Sequence, residues 1–216
     1  MLITLYEIAY GKICEKGRNM KTLISILTII ILFFIGCNEL SLKPNDKLVD
    51  IDVRAILEED DYLWIGTWGY GLIKFNKYTL GEMITYNINN SGLPSDYIYS
   101  IEIDTEGVKW IGTYKGLVRY DGSQWTVYTK DNSGLPHDHV NALAIDNDGV
   151  VWIISWTSGI RGMDWGALTK FDGEEWVIYN QKNSEIPRYS ILNDIAIERS
   201  GIIWIATQSD ILQEKV

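Results

Sequence analysis

An all-β repeat fold is predicted for residues 51–212 of this 216-residue chain from three observations. First, the stretch "LWIGT" at 63–67 recurs as "KWIGT" at 109–113, "VWIIS" at 151–155 and "IWIAT" at 203–207. Second, the tryptophans of these stretches lie 46, 42 and 52 residues apart, and strand-rich repeats of about 40–50 residues indicate propellers. Third, each full repeat closes on a polar turn, "NSGLP" at 90–94 and 132–136 and "NSEIP" at 183–187. We therefore predict a β-propeller of about three complete four-stranded blades plus half of a fourth, an incomplete ring, preceded by an N-terminal signal helix.

The second repeat shows the four strands of a blade most clearly. They are "YIYSIEID" at 97–104, "VKWIGT" at 108–113, "LVRYDG" at 117–122 and "QWTVYT" at 124–129, separated by turns rich in Gly, Asp and Asn. The third repeat has the same order, whereas the first is looser and has Met83 where Trp125 and Trp176 stand later. The predicted blades span approximately 51–94, 97–136 and 139–188, with a partial blade at 191–212.

The sizes of the side chains indicate which strand of each blade lies innermost and which residues lie between blades. The first strand of each repeat carries small residues, Ser100, Ala142, Ala144 and Ala196, which suit the crowded innermost strand. The second and fourth strands carry tryptophans, and we expect most of the nine to fill the space between neighbouring blades.

The polar turns are interpreted as structural. In "NSGLP" we expect Asn and Ser to turn the chain, Gly to permit the backbone angle, Leu to be buried and Pro to begin the next inner strand. The stretches "DTEG" at 104–107 and "DNDG" at 146–149 resemble calcium loops in composition. They lack the later bidentate Glu of such loops, and we interpret them as hairpin turns with Gly in the left-handed conformation.

Candidate binding residues follow each "GLP" and each "WIGT", because the two loop types should share one rim of a propeller. The insertion at 156–167, "WTSGIRGMDWGA", lies on the same rim and is the longest of these loops. The ligand-binding candidates are Trp68, Tyr70, Asp96, Tyr97, Tyr114, Lys115, His137, Asp138, His139, Trp156, Arg161, Asp164, Trp165, Arg188 and Tyr189.

Aromatic rings beside Asp, Arg and Asn on a concave rim suit a carbohydrate, since rings stack on the apolar sugar face and polar groups bind hydroxyls. The alternative is a set of loops packed on themselves. The sequence "HDH" at 137–139 offers two metal nitrogens without an evident third ligand, so no metal and no cofactor are predicted. No catalytic constellation is found, and no catalytic residue is predicted.

The first fifty residues predict export. A basic start at Lys21, an apolar stretch from Leu23 to Ile35 and a small residue before Cys37 have the layout of a signal peptide. The end of this segment resembles the lipobox of bacterial lipoproteins, which implies that Cys37 carries the lipid. An uncleaved signal anchor is the alternative, although the apolar stretch is shorter than the ~20 residues that span a bilayer.

This leader divides the chain into parts. Residues 1–36 are predicted to be an upstream extension and signal peptide, and residues 37–50 the lipidated cysteine and a polar tether. Removal of residues 1–36 changes the formal net charge from −10 to −12. The predicted location is exported and lipid-anchored to a bacterial membrane, on the periplasmic side or the cell surface. This acidic balance and the lack of a Lys/Arg cluster argue against nucleic acid as a partner.

The stretch 110–152 resembles the two-component regulator propeller repeat. It carries the pattern of that family in "WIGT", "GLVRYDG", "QWTVYT" and "NSGLP", and the resemblance extends over residues 51–212. The resemblance implies the exported sensing part of hybrid two-component regulators, which often respond to carbohydrate fragments.

The resemblance leads to three hypotheses on function. The first is non-catalytic recognition of a carbohydrate or similar ligand, as in signal transduction. The alternatives are a lyase or hydrolase on a propeller scaffold, which would need His137, Asp138 and His139, and a purely structural surface for protein partners. Because the repeats stop halfway through a blade, we expect either a truncated reading frame or self-association through open blade edges.

Overall fold

The computed structural model describes residues 51–79, 83–156, 166–180, 182–187 and 190–209. These residues form three four-stranded antiparallel sheets and one two-stranded sheet. The predicted signal helix, Cys37 and the tether lie outside the described residues. In the part of the chain that is described, no helix is long and apolar enough to cross a bilayer.

Each of the first two sheets is a meander of four consecutive strands. The first consists of β1 (Val53–Glu59), β2 (Tyr62–Thr67), β3 (Leu72–Asn76) and β4 (Met83–Tyr86). The second consists of β5 (Ile98–Ile103), β6 (Lys109–Thr113), β7 (Gly116–Tyr120) and β8 (Trp125–Tyr128).

The third sheet repeats this meander, and the described residues of the fourth form its first two strands. The third consists of β9 (His139–Ile145), β10 (Val151–Trp156), β11 (Ala167–Phe171) and β12 (Trp176–Tyr179). The fourth pairs β13 (Ser190–Ile197) with β14 (Ile203–Ser209). The predicted all-β propeller architecture of three full blades and half of a fourth is therefore confirmed.

The turns between the first two strands of each sheet are hairpins closed by an acidic residue. In the second sheet Asp104 Oδ1 accepts hydrogen bonds from the backbone N–H groups of Glu106 and Val108. The other oxygen accepts one from Trp110 Nε1 at 3.1 Å. Gly107 has φ +81°, the left-handed conformation that glycine adopts without strain. The interpretation of these stretches as hairpin turns is confirmed.

The hydrophobic core lies between neighbouring sheets. Trp64 of the first sheet packs on Ile111 and Tyr120 of the second, and Trp110 packs on Val140 and Phe171 of the third. Their indole N–H groups are bound by the acidic side chains of the hairpins, so burying them leaves no donor unsatisfied. The predicted role of these tryptophans as spacers between blades is confirmed.

The "NSGLP" turns have the same hydrogen bonds in all three copies. In the first, Asn90 Oδ1 accepts from Asn87 N, Asn90 Nδ2 donates to Thr85 O, and Ser91 Oγ donates to Asn87 O. Leu93 is buried beside Trp64. The expected roles of Asn, Ser and Leu therefore hold.

The expected role of the glycine in this turn is wrong. Neither Gly92 nor Gly134 is among the glycines with positive φ, so neither is required for the backbone angle. A Cβ at Gly134 would lie 2.3 Å from the Cβ of Trp176, and Gly92 meets Trp125 in the same way. Glycine is needed because the turn passes directly over the outer strand of the next sheet. The third copy carries Glu185 at this place, where the next sheet has no outer strand among the described residues.

Each inner strand from the second sheet onward contains a β-bulge. The register shifts between Ile98 and Ser100 in β5, and between Leu192 and Asp194 in β13. A bulge inserts an unpaired residue and re-aims its side chain. In β5 that residue is Tyr99, which becomes part of the rim.

Candidate functional site

Two kinds of loop meet at one edge of the sheets, as the sequence predicts. Gly69 N and Gly71 N, in the β2–β3 loop, donate to Asp96 O at 3.0 and 2.9 Å. Trp68 forms an isolated bridge with Tyr97, at the start of the next inner strand. These bonds fix the end of one sheet to the beginning of the next.

The β6–β7 turn is held rigidly by a threonine. Thr113 Oγ1 donates to Gly116 O at 2.8 Å and accepts from Lys115 N at 3.1 Å. Tyr114 N donates to Tyr97 O at 3.1 Å. The side chains of Tyr114 and Lys115 therefore project from a turn whose backbone is fully bonded.

The ring of His139 lies among three aromatic rings. It stacks on Trp156, its cross-strand neighbour in β10, with centroids 4.4 Å apart and an interplanar angle of 30°. It also contacts Tyr99 at 4.4 Å and Tyr114 at 5.1 Å. Residues from the second and third sheets thus enclose one imidazole.

These rings continue into the first sheet. Trp68 packs edge-on against Tyr97 and Tyr99, with centroids 5.1 and 5.3 Å apart. The guanidinium of Arg54 lies 4.6 Å from the Trp68 ring centroid. We refer to the set as the rim cluster: Arg54, Trp68, Tyr97, Tyr99, Tyr114, His139 and Trp156.

His139 is the most buried polar member of the rim cluster, with 8% of its surface exposed. Neither ring nitrogen has a hydrogen-bond partner among the described residues, and the same holds for Trp156 Nε1. Burial lowers the pKa of His139 to about 4. The imidazole is therefore neutral at pH 7 and holds one unused donor and one unused acceptor.

A cavity of about 280 Å³ opens beside this imidazole. It is lined by Tyr114, Lys115, Lys130, His137, Asp138, His139 and Trp156. Its volume lies near the lower end for ligand pockets, about 300 Å³. Aromatic walls, two lysines and a buried imidazole with unused hydrogen-bonding capacity form a site suited to a small polar ligand with an apolar face.

The sequence candidates fall into three groups in the structure. Lining the cavity or forming the rim cluster are Trp68, Tyr97, Tyr114, Lys115, His137, Asp138, His139 and Trp156. Tyr70 is 43% exposed and has no ring contact with that cluster among the described residues. Outside the described residues lie Arg161, Asp164, Trp165, Arg188 and Tyr189.

Two of the three candidate aspartates, Asp96 and Asp138, hold loops in place, and the third, Asp164, lies outside the described residues. Asp96 Oδ1 accepts a hydrogen bond from Ile88 N at 2.9 Å. Asp138 Oδ1 accepts one from Lys130 N at 2.8 Å. One oxygen of each carboxylate is therefore engaged in positioning the loop that precedes it.

Sequence reasoning missed three residues of the site: Arg54, Tyr99 and Lys130. Tyr99 was missed because the direction of a strand side chain is inferred from the alternation of residues, and the bulge in β5 interrupts that alternation. Arg54 lies in β1 and follows neither of the two motifs, "GLP" and "WIGT", from which the candidates were chosen. Lys130 lies directly before the repeated turn, on the same loop as the candidate Asp138. Its position on that loop is the signal that could have identified it.

Among the described residues, no group of three His, Cys, Asp or Glu side chains could hold a metal ion. The carboxylate oxygens of Asp104 and Asp146, in the turns that resemble calcium loops, accept hydrogen bonds from backbone and indole N–H groups. The described residues therefore offer no candidate metal centre.

Comparisons with known proteins agree with this architecture. Residues 134–157 match the two-component regulator propeller family. No curated protein matches the sequence significantly.

Among solved structures, two similar chains are extracellular domains from B. thetaiotaomicron. One is described as part of a one-component system, with 22% identity over 72% of this chain and 20% of its own, and TM-score 0.57. The other is described as part of a hybrid two-component system, with 23% identity, coverage of 72% and 19%, and TM-score 0.55. This chain thus spans about a fifth of their length.

A third similar structure is virginiamycin B lyase from Staphylococcus aureus, with 14% identity, coverage of 71% and 48%, and TM-score 0.52. At these identities the likenesses show the fold alone. The fold is a β-propeller, and the resemblance to the two-component regulator propeller repeat is confirmed at residues 134–157.

Proposed function

We propose that the chain is an exported, non-catalytic recognition propeller that binds a carbohydrate fragment at the rim cavity and serves signal transduction. The observation that carries the proposal is the buried imidazole of His139, unpaired among the described residues, in an aromatic cavity. A buried polar group without a partner costs free energy unless a ligand or water satisfies it.

The chemistry of the cavity suits a sugar. Trp156 and Tyr114 offer aromatic faces for the C–H face of a pyranose. The neutral His139 can donate to one hydroxyl and accept from another. Lys115, Lys130 and Asp138 also line the cavity, and because Lys130 Nζ is paired with Asp131 Oδ1 at 2.7 Å, we expect Lys115 to be the lysine that contacts a polar or acidic group of the sugar.

The sensory part of the proposal is supported by similarity. The family match and the likeness to extracellular domains favour a role outside the cytoplasm. The leader with Cys37 supports lipid anchoring on the same side.

A lyase or hydrolase is the competing hypothesis. It would need His137, Asp138 and His139, and of these three the imidazole of His139, with a pKa of about 4, is a weak base at pH 7. Asp138 is engaged with Lys130 N through one oxygen. These two observations favour binding without turnover.

The test is isothermal titration of the full chain in detergent micelles with sets of neutral and acidic oligosaccharides. We expect saturable binding by the wild type, at least tenfold weaker binding by Trp156→Ala, and unchanged binding by Tyr78→Ala. Tyr78 is a suitable control because it is 76% exposed and lies in the β3–β4 loop, outside the rim cluster. The proposal is contradicted if no sugar gives a heat of binding, or if both variants lose binding to the same extent. Cleavage of a sugar, detected by chromatography, would favour the enzyme.

A further inference from the structure

The rim is built from two positions that recur in successive repeats. One is the residue that directly follows the "WIGT" stretch or its variant, which is Trp68, Tyr114 and Trp156 in the first three sheets. The other is the third residue after "GLP", which is Tyr97 ahead of β5 and His139 at the start of β9. The junction of the first and second sheets therefore has the same parts as the junction that holds the cavity.

The rings of these residues form one continuous row. Tyr97 lies between Trp68 and Tyr114, with centroid distances of 5.1 and 6.3 Å. His139 lies between Tyr114 and Trp156 in the same way, at 5.1 and 4.4 Å. Tyr114 belongs to both junctions, because it lines the cavity and also contacts the ring of Tyr97.

The loop beside each junction is held by the same hydrogen bond. Asp96 Oδ1 accepts from Ile88 N at 2.9 Å. At the equivalent place in the next repeat, Asp138 Oδ1 accepts from Lys130 N at 2.8 Å. Where the cavity has the charged Lys130, the first junction has the exposed Ile88. The first junction thus repeats the backbone frame of the cavity with a more apolar side chain.

The two junctions differ in how much of their rings is exposed. His139 is 8% exposed, whereas Tyr97, at the same position of the first junction, is 40% exposed. Trp68 and Tyr114, on either side of Tyr97, are 40% and 42% exposed. Neighbouring exposed aromatic rings mark an interaction surface, whereas single exposed apolar residues need no explanation. The first junction is therefore an open platform, formed by Trp68, Tyr97 and Tyr114, that adjoins an enclosed cavity.

The platform keeps aromatic surface available and is fixed before any ligand binds. Its rings meet edge-on at 75° and 64°, so at each contact at most one ring has a face covered by the other. The Arg54 guanidinium lies over one face of Trp68, and that residue is exposed nonetheless. Tyr114 N donates to Tyr97 O, and Gly69 N donates to Asp96 O. A surface that is already ordered loses little conformational freedom on binding.

We propose that the platform is a second subsite, which binds further units of an oligosaccharide whose end occupies the cavity. The inference rests on the proposed function and adds a preference for chain length to it. Exposed aromatic rings suit the apolar faces of successive sugar units. Because these units are covalently linked, the second contact forms at a high effective concentration and raises the affinity of the whole chain.

The test is isothermal titration of the full chain in detergent micelles with gluco-, manno-, xylo- and galacturono-oligosaccharides, each from the monosaccharide to the hexasaccharide. For the wild type we expect the affinity to rise at least about tenfold from the monosaccharide to the hexasaccharide of a series that binds, because two linked contacts replace one. In Trp68→Ala and in Tyr97→Ala this rise should be lost, while the affinity for the monosaccharide stays that of the wild type.

Two further variants serve as controls. Tyr78→Ala changes an exposed tyrosine of the β3–β4 loop and should keep the full dependence on chain length. Trp156→Ala changes the wall of the cavity and should weaken the binding of every length alike. Thermal melts followed by circular dichroism check that each variant is folded.

The outcomes separate the second subsite from the proposed function. An affinity that does not rise with chain length, or a rise that survives in both Trp68→Ala and Tyr97→Ala, would overturn the second subsite and leave the cavity as the binding site. Equal loss at every length in these two variants would also overturn it, because the rings would then support the cavity. If no sugar of any series binds, the proposed function and the second subsite are both overturned.

Discussion

The interblade core and the rim cluster use the same residue types in opposite ways. In the core, Trp110 is buried against the third sheet, and its N–H donates to Asp104. At the rim, Trp156 and His139 stack on each other, and their buried nitrogens have no partner among the described residues. The indole of Trp110 therefore needs no further molecule to satisfy it, whereas the rim has unused hydrogen-bonding capacity.

This difference separates architecture from binding. The core contacts recur from blade to blade, so they hold the frame regardless of ligand. Within the part of the chain that the structure describes, the ring contacts of His139 occur only at the junction of the second and third sheets. A buried polar group is costly where it has no partner, so the proposed ligand should stabilise the protein by bonding to His139.

The largest expected effect contrasts one tryptophan from each region. Trp110→Ala should lower the free energy of unfolding by about 3–5 kcal/mol, because it leaves a large cavity between two sheets. Trp156→Ala should cost about 1–2 kcal/mol, since this ring is only partly buried, and should weaken sugar binding at least tenfold. Urea denaturation followed by circular dichroism measures both, and equal losses would remove the distinction between the two regions.

An intermediate effect tests the close approach of the repeated turn. Gly134→Ala should destabilise the protein by about 1–3 kcal/mol, because its Cβ would meet Trp176 at 2.3 Å. The matched change Glu185→Ala, at the same place in the third copy, should cost less than about 0.5 kcal/mol. Thermal melts of the two variants measure the difference. If Gly134→Ala left the stability unchanged, the turn would be able to move away from the outer strand.

The effect that is smallest at neutral pH concerns the pH dependence contributed by the rim. The pKa of His139 is about 4 in the folded protein, below the ~6.5 of an unperturbed histidine. Between these values the unfolded chain binds more protons, so this group makes the free energy of unfolding fall as pH decreases from about 6.5 to 4.

His139→Phe should remove that contribution, so the wild type should lose up to about 3 kcal/mol more than the variant between pH 7 and pH 4. Denaturation at a series of pH values measures the difference between the two proteins. Parallel curves would show that His139 is charged or absent from the buried cluster.

Much of the frame could be predicted because it depends on local patterns. The strands, the hairpins at Asp104 and Asp146 and the spacer tryptophans all repeat at nearly constant distance along the chain. Because the pattern repeats, the role of a residue in one blade can be inferred from the equivalent residues in the other blades. The repeated "GLP" and "WIGT" motifs likewise predicted that Tyr97, Tyr114 and His139 lie on one rim.

What the sequence determined by itself is the order and number of strands and the residues that lie between blades, because period and residue type are properties of the chain. The tertiary structure decided the rest. It placed Gly134 against Trp176, brought Tyr99 to His139 through a bulge, and left Trp204 uncovered. Each of these depends on which distant surface lies opposite a residue, and a one-dimensional pattern carries no distance between residues about 40 positions apart.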